Sequence, residues 1–214
     1  KYGANLVQNG NFDELGSDLI PQPLDISTTP LTTNGGGVIL NSNSFETFGG
    51  TLDGIRTSNL LTLGKTYKLI IEGSTTSSGF TVGNTSGSGG QYGTGFGTHY
   101  FVATDNTRIW IRQVTSGVTT ITNFSVKQVD PNDRWTAGVG GASKQALTDV
   151  ATLTVTGGFD IMLRQNGILT SGKKYKITYN TDLSGITSGS LKWQLFSDSS
   201  SARTILNGTN TVIL

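Results

Sequence analysis

A stretch of twelve residues that occurs twice constrains the fold of this chain more than any other feature. Residues 60–71 read LLTLGKTYKLII, and residues 168–179 read ILTSGKKYKITY. When Leu61 is aligned with Leu169, a shift we call the repeat offset, six of the twelve positions are identical without a gap. Solenoid repeats have periods of about 20–50 residues, so this longer period indicates two domain-sized modules of one design.

Each copy has the pattern of a turn followed by a half-buried strand. In the first copy, Tyr67, Leu69 and Ile71 alternate with the residues between them at the period of a strand. The Gly-Lys pair before this strand is typical of a turn. We predict that residues 55–61 pair with the strand in a hairpin closed at residues 62–65. The second copy predicts a turn at Ser171–Lys173 and one strand face made of Tyr175, Ile177 and Tyr179.

The composition favours an all-β protein outside the cytoplasm. Charged residues make up 14% of the chain, against roughly 25% in an average domain, and 30 of the 214 residues are glycine. The net charge of +1 gives no electrostatic reason to expect nucleic acid or an anionic membrane as a partner. No run approaches 18 consecutive apolar residues, so no transmembrane helix is expected. The absence of cysteine excludes disulfides and cysteine-based zinc sites.

Short alternating segments recur along the chain, and no window combines helical spacing of apolar residues with helix caps. The sequence therefore predicts an all-β fold of two tandem antiparallel β-sandwich (jelly-roll-like) modules, the second incomplete. The predicted strands cover residues 1–8, 38–41, 45–48 as an edge strand, 98–103, 108–114, 119–129, 151–156, 159–164, 174–180, 191–196, 203–206 and 210–214.

The tetrapeptide Asp130-Pro-Asn-Asp133 is typical of a boundary, because proline and short polar residues favour turns. We predict the first module over residues 1–130 and the second over residues 131–214. The stretch from Tyr67 to Val129, where the last strand of the first module ends, is longer than the stretch from Tyr175 to Leu214. We therefore expect that about two strands of the second jelly roll are missing or come from another chain. We also expect this chain to be a piece of a longer protein.

Three motifs carry a resemblance to a known family. They are the mid-module pattern L-T-x-G-K-x-Y-K, the segment Asn5–Glu14 (NLVQNGNFDE) and the segment Ile121–Val129 (ITNFSVKQV). They resemble the central stretch, the opening strand and the closing strand of jelly-roll sandwiches related to carbohydrate-binding modules. Tandem, cysteine-free, Gly/Ser/Thr-rich copies of such modules are common in bacteriophage virion structural proteins, including tail fibres and head appendages. The resemblance implies a fold that serves many functions, so it implies little chemistry.

The first candidate binding surface is Arg108, Trp110 and Arg112. With Ile109 and Ile111 facing the core, these three side chains should point outward from one strand. An outward tryptophan between two arginines can stack on a sugar ring while the arginines donate hydrogen bonds to its hydroxyls. The alternative is a tryptophan covered by another strand, module or subunit, with the arginine stems packed beside it.

The second candidate is a glycine loop at residues 83–97, which carries Tyr92 and Phe96 and leads to His99 and Tyr100. A glycine loop that presents aromatic side chains adapts to ligands. The alternative is a loop ordered by assembly contacts. The loop lacks the G-x-G-x-x-G spacing and the βαβ context of a nucleotide site.

No residue cluster indicates catalysis. His99 is the only histidine, and no nucleophile elbow accompanies it. Asn9, Asn11, Asp13 and Glu14 are similar to the calcium site of some carbohydrate-binding jelly rolls, but turn and capping roles explain them as well. The resemblance to this calcium site is weakened because Thr122 stands where the family's closing motif has Asp. We predict no catalytic residue, no metal site and no cofactor.

These observations favour a non-enzymatic bacteriophage virion structural protein, such as a tail fibre, an appendage or a head decoration protein. The expected partners are other virion subunits, further copies of this chain and a host-surface glycan, with no nucleic acid and no membrane. The expected location is the virion. The alternative is a carbohydrate-binding region of a secreted bacterial glycosidase or adhesin.

Overall fold

The computed structural model describes residues 3–8, 10–11, 13–28, 30–50, 53–84, 91–104, 107–137, 143–147, 150–154, 163–186, 190–194 and 203–213. These residues form nineteen β-strands and no helix, which confirms the all-β prediction. Within them, no helix is long and apolar enough to cross a membrane. The strands are β1 Leu15–Asp18, β2 Leu31–Asn34, β3 Val38–Ile39, β4 Ser44–Thr47, β5 Gly54–Thr57, β6 Thr66–Thr75, β7 Phe80–Gly83, β8 Gln91–Thr94, β9 Gly97–Val102, β10 Trp110–Gln113, β11 Gly117–Val129, β12 Thr136–Ala137, β13 Ser143–Leu147, β14 Val150–Thr154, β15 Leu163–Arg164, β16 Lys176–Thr181, β17 Lys192–Trp193, β18 Arg203–Thr204 and β19 Gly208–Ile213.

Strands β4 to β11 form a jelly-roll sandwich. One sheet has the order β3-β4-β11-β6-β9, with β1 also paired to β11, and the other has the order β2-β5-β10-β7-β8. Consecutive strands from β4 to β11 alternate between the two sheets, except that β7 and β8 are neighbours. All pairings are antiparallel. This connectivity is that of an eight-stranded jelly roll, with β2 and β3 added at the edges.

One hydrophobic core lies between these two sheets. Tyr67, Leu69 and Ile71 of β6 are at most 1% exposed, so the strand face predicted from the first repeat copy is the core face. Alternation places apolar residues from both sheets in the same layer. The six-stranded sheet also contributes Phe45, Phe101, Phe124 and Val126, and the five-stranded sheet contributes Ile55, Phe80, Val82 and Ile111.

The predicted hairpin around the first repeat copy is wrong. β5 pairs with β2 and β10 in one sheet, whereas β6 pairs with β9 and β11 in the other. The residues between β5 and β6 cross the sandwich, and Leu61 within the crossing is 5% exposed. Two consecutive strands show the same alternation whether they are neighbours in one sheet or lie in opposite sheets, because their apolar faces meet the same core in both cases. The pattern therefore cannot distinguish a hairpin from a connection that crosses the sandwich.

Two further strand predictions needed correction. The strand predicted over residues 45–48 is β4, which lies between β3 and β11 rather than at an edge. Residues 3–8 contain no strand, and the first strand is β1. The closing motif at residues 121–129 lies within β11, as predicted, and β9 and β10 also match predicted strands.

In the second module, β14, β16, β18 and β19 overlap the predicted strands. β15 and β17 lie inside two further predicted segments. The rest of those segments, at residues 159–162 and 195–196, lies outside the described residues.

The repeated residues build the same corner in both copies. The hydroxyl of Tyr67 accepts a hydrogen bond from the backbone N–H of Thr62 at 2.8 Å, and the hydroxyl of Tyr175 accepts one from Thr170 at 2.7 Å. Both turns have a glycine at positive φ, 79° at Gly64 and 76° at Gly172. Glycine adopts this conformation without steric cost. The identical positions of the repeat are therefore the ones that shape and clamp a turn.

The predicted boundary at residues 130–133 is a turn tied to the first sandwich. The N–H of Asp133 donates to the carbonyl of Asp130 at 3.0 Å. Lys65 of the first repeat copy pairs with Asp133 at 2.5 Å, and Arg134 pairs with Glu14 at 2.7 Å. These ion pairs hold the turn against the jelly roll.

The chain divides into two compact units, one of residues 7–165 and one of residues 1–6 with 166–214. These bounds differ from the predicted modules, residues 1–130 and 131–214, whose boundary stays a prediction. The second unit contains two antiparallel ribbons, β16 with β19 and β17 with β18.

The strand pairs of the first jelly roll recur in the same order later in the chain. The pairs β2–β5, β3–β4, β6–β9 and β7–β8 are followed by β12–β15, β13–β14, β16–β19 and β17–β18. The repeat offset places β6 over residues 174–183, which contain β16. Every first-copy pairing that does not recur among the described residues involves β1, β10 or β11. Strands β12 to β19 therefore repeat the pairing pattern of β2 to β9.

Candidate functional site

The candidate site is the outer face of the five-stranded sheet around β10. Ile109 is fully buried and Ile111 is 1% exposed, so both face the core as predicted. Trp110 and Arg112 therefore point to the outer face. β10 lies between β5 and β7, so Trp110 is in the middle of this face.

Cross-strand pairing places a row of residues beside Trp110. Trp110 lies opposite Arg56 of β5 and opposite Gly83 of β7, and Arg56 lies opposite Thr32 of β2. The Arg56 guanidinium carbon is 5.9 Å from the centre of the indole ring, which is within cation–π range. Gly83 has no side chain, so nothing from that position fills the space beside the ring.

Trp110 is 8% exposed, so the flat, open platform predicted for it is not what the structure has. The arginine stem of its cross-strand neighbour packs against the ring, as the alternative interpretation expected. Two buried donors in this cluster, Trp110 Nε1 and Arg56 Nε, have no hydrogen-bond partner in the described part of the chain. Unpaired buried donors cost free energy, so the cluster favours an added oxygen acceptor.

The two predicted arginines take different positions around Trp110. Arg108 precedes β10, and its Nε donates to Asn59 Oδ1 at 2.9 Å. Arg112 is half-buried on the outer face, opposite Gly54 of β5 and Thr81 of β7. Arg56 and Arg112 are the charged residues at the paired positions named on this face.

The predicted glycine loop is partly a strand. Residues 91–94 form β8, and residues 85–90 lie outside the described residues. Tyr92 is 8% exposed and stacks on Phe101 at 3.8 Å between ring centres. Phe96 is partly buried and meets Phe80 edge to face at 4.8 Å. Tyr92 lies in the core and Phe96 packs against it, and the binding role predicted for both residues stays a prediction.

His99 and Tyr100 lie on opposite faces of β9. His99 Nε2 is 3.1 Å from the carbonyl oxygen of Gly95, and its ring lies over Gly93 of β8. A Cβ at Gly93 would collide with His99 Nδ1, so this glycine is required by the close packing. Tyr100 is on the outer face of the six-stranded sheet, with Lys68 Nζ 6.0 Å from its ring centre.

The seven predicted site residues therefore occupy four places. Arg108, Trp110 and Arg112 lie at the outer face of the five-stranded sheet, where the binding role stays a prediction. Tyr92 lies in the core with Phe96 packed against it, and His99 lies between the edge strands β8 and β9. Tyr100 faces outward from the other sheet.

Sequence reasoning missed Arg56, the side chain that contacts Trp110. Arg56 comes from a strand that is distant in the sequence, and only the β5–β10 pairing brings the two together. One local signal was available: Arg56 follows the buried Ile55 and precedes the buried Thr57, which is the alternation of an outward residue.

Asp53 clamps two glycine turns at one end of the sandwich. Its carboxylate accepts from the N–H of Gly36 at 2.6 Å and from the N–H of Gly50 at 2.8 Å. These two donors, Gly36 first, hold the pKa of the Asp53 carboxyl below its ordinary value. A Cβ at Gly50 would be 2.7 Å from the carboxylate, so glycine is needed there. The clamp is structural, because both oxygens are occupied by backbone donors.

A buried polar cluster joins the two sheets. In the orientation that satisfies its amide, Gln113 of β10 donates to Thr47 Oγ1 at 2.6 Å and accepts from Thr119 Oγ1 at 2.6 Å. Thr47 and Thr119 belong to the six-stranded sheet. These bonds cross the core, and removing the amide takes a close partner from both hydroxyls, although Thr119 Oγ1 keeps its hydrogen bond with Thr75 Oγ1 at 2.8 Å.

The face around Trp110 presents hydrogen-bond donors, namely an indole N–H and guanidinium groups. The described residues contain no group of three or more His, Cys, Asp or Glu side chains placed to hold a metal ion.

Comparison with known proteins adds no relative. No protein-family model matches this chain. No curated protein and no solved structure matches it either.

Proposed function

We propose that this chain is a non-enzymatic structural protein of a bacteriophage particle, such as a tail fibre, an appendage or a head decoration protein. The observation that carries the proposal is the recurrence of the jelly-roll strand pairs in one chain. Tandem modules of this kind suit a particle component built from repeated units. A charged fraction of 14% and the absence of cysteine fit the same class.

The outer face of the five-stranded sheet is the contact surface in this proposal. Trp110 Nε1 and Arg56 Nε are buried donors that lack an acceptor among the described residues, and Arg112 lies half-buried on the same face. Oxygen atoms of a neighbouring subunit or of a host-surface glycan would satisfy these donors. The contact would hold a module in place or attach the particle to its host.

The test is made on native source material. Intact particles are purified by sedimentation, and this chain is quantified in the particle and soluble fractions by mass spectrometry. The proposal expects the chain in the particle fraction, in several copies per particle. A chain that stays soluble and is absent from particles would refute it.

A second candidate is a carbohydrate-binding region of a secreted bacterial glycosidase or adhesin. The pairing of Trp110 with Arg56 favours it, because an indole and a guanidinium side by side are suited to a sugar. Trp110→Phe removes the N–H while keeping an aromatic ring in the packed position. This variant should weaken glycan binding measured on an array of immobilised glycans. Lys127→Ala, on the other sheet, is the control that should leave binding unchanged.

A further inference from the structure

An asparagine–glycine pair lies where the chain passes from one compact unit to the other. The unit of residues 7–165 ends at Gln165, and Asn166 begins the long segment of the other unit. Asn166 and Gly167 are both exposed, and neither belongs to a strand. This pair is therefore a short connector that is open to solvent.

An asparagine that precedes a glycine can be attacked by its own backbone. The attacking atom is the backbone nitrogen of the following residue, and it bonds to the Cγ carbon of the asparagine side chain. Glycine has no Cβ to hinder this approach, and its wide range of φ lets the two atoms meet. The product is a five-membered ring, which is why asparagine is among the thermolabile residues.

The structure leaves both reacting groups of this pair available. In the part of the chain that the structure describes, the Asn166 side chain makes no hydrogen bond and the N–H of Gly167 donates none. Gly167 has a φ of 70°, and a Cβ placed on it would meet no atom within 4 Å. The nitrogen and the side-chain carbon can therefore approach each other without first breaking a contact.

Two other asparagine–glycine pairs are held by their surroundings. Asn207 Oδ1 accepts a hydrogen bond from the N–H of Leu183 at 2.8 Å, and Gly208 is the first residue of β19. Asn34 is half-buried at the end of β2, and its carbonyl oxygen accepts from the N–H of Gly37 at 3.2 Å. Such contacts must open before the side chain can react, so both pairs should react more slowly.

The first repeat copy has no such pair at the equivalent position. The repeat offset aligns Asn166 with Ser58 and Gly167 with Asn59. Asn59 precedes Leu60, whose side chain hinders the attack, and its Oδ1 accepts from Arg108 Nε at 2.9 Å. The reactive pair at this position therefore belongs to the second copy.

We propose that Asn166 is a site of spontaneous modification, at which the chain converts its own asparagine to aspartate and isoaspartate. In the first step the Gly167 nitrogen gives its proton to hydroxide and bonds to Asn166 Cγ, and the side-chain nitrogen takes up a proton and leaves as ammonia. In the second step water opens the ring at one of its two carbonyl carbons. The whole change consumes one water and releases one ammonia, without an oxidant, a reductant or a cofactor.

The products change the connector in two ways. Both carry a carboxylate where the chain had a neutral amide, and isoaspartate also adds one carbon to the path of the backbone. Neither change requires a strand to open, because neither residue belongs to one. The charge and the length of the chain therefore change with age at the point where it passes between the two units.

Peptide mapping by mass spectrometry tests the proposal. The folded 214-residue chain is incubated at mildly alkaline pH, and the conversion of each asparagine is followed over time. Electron-transfer fragmentation distinguishes isoaspartate from aspartate. Asn166 should convert at least about fivefold faster than Asn207, because the Asn207 side chain must first give up its hydrogen bond. No conversion at Asn166, or equal rates at the two positions, would overturn the proposal.

The same measurement in concentrated urea separates the effect of the fold from that of the local sequence. Unfolding removes the hydrogen bond of Asn207, and both asparagines precede glycine, so the two rates should converge. A ratio of rates that stays the same in urea would show that neighbouring residues select Asn166, and would overturn the structural argument.

Hydroxylamine provides an independent readout, because it attacks the ring and cleaves the chain there. The folded chain should give fragments of residues 1–166 and 167–214. Asn166→Gln, whose longer side chain disfavours ring formation, should abolish this cleavage and the conversion. Asn207→Gln is the matched control and should leave both unchanged. Cleavage between residues 166 and 167 that persists in Asn166→Gln would refute the assigned site.

Discussion

Tyr67 and Tyr175 accept a hydrogen bond from the same position of the same turn, yet Tyr67 is 1% exposed and Tyr175 is half-buried. The turn is therefore set by the few residues that the two copies share. Burial is set by the strands that arrive from elsewhere, β11 and the opposite sheet in the first copy. The comparison separates local sequence, which makes a corner, from long-range pairing, which makes a core.

The sharpest way to test this comparison is to shorten equivalent side chains. Leu69→Ala removes a fully buried side chain and should lower the free energy of unfolding of the jelly roll by about 2–5 kcal/mol. Ile177→Ala, at the equivalent position, should cost under about 1 kcal/mol in the 214-residue chain, because its side chain is half-buried. Urea unfolding followed by residue-resolved NMR measures both. Equal losses would contradict the difference in burial.

Gln113→Ala tests how much the side-chain hydrogen bonds of β10 stabilise the first jelly roll. The variant removes the 2.6 Å partner of the Thr47 hydroxyl and one of the two partners of the Thr119 hydroxyl, so a loss of about 1–2 kcal/mol is expected. The same urea experiment measures this loss, while the signals of β16 and β19 should not move. Gln113→Glu should lower the free energy of unfolding further at neutral pH, because it places a negative charge in the core. An unchanged midpoint for Gln113→Ala would show that the cluster does not hold the sheets together.

Tyr67→Phe and Tyr175→Phe form a matched pair of variants with smaller expected losses of stability. Tyr67→Phe removes the acceptor for the Thr62 N–H and should cost about 1 kcal/mol. Tyr175→Phe removes the equivalent bond at a turn whose residues are exposed, where water can replace it, so a smaller loss is expected. Thermal unfolding compares the two. A larger loss of thermal stability for Tyr175→Phe would contradict the lower burial of Tyr175.

The smallest expected effect is a pH dependence that belongs to the first copy. Hydrogen bonds from the N–H groups of Gly36 and Gly50 lower the pKa of Asp53 in the folded chain. Its stabilising contribution is therefore present above the ordinary carboxyl pKa and is lost as the pH falls through the lowered one. Asp53→Asn should flatten the acid side of the stability curve measured by urea unfolding. A curve with an unchanged acid slope would contradict the role of this clamp.

The parts of the fold that could be predicted from the sequence are those encoded in local alternation. Tyr67, Leu69 and Ile71 indicated a core-facing strand, and residues 121–129 indicated the last strand of the roll. Long-range pairing has no such local signal. The hairpin error arose because residues 58–65 cross between sheets while keeping an apolar residue at Leu61. The expectation that about two strands of the second module are missing came from chain length alone and stays a prediction.

The same distinction between local alternation and long-range pairing applies to the candidate site. The direction of Trp110 followed from alternation with Ile109 and Ile111, but its burial did not, because the side chain beside it, Arg56, comes from a distant strand. Tyr92 was misplaced since glycines around it suggested a loop, whereas Gly93 is there to let the His99 ring pack. Glycine that permits close packing and glycine that makes a loop look the same in a sequence.

The central claim is that one repeated motif lies fully buried in a jelly roll at β6 and again at β16, where its apolar row is only half-buried. Residue-resolved hydrogen exchange of the 214-residue chain tests it directly, by comparing the amides of β6 with those of β16. The amides of β6 should exchange only through global unfolding of the jelly roll, and those of β16 should exchange orders of magnitude faster through local opening. Equal protection of the two strands would contradict the claim.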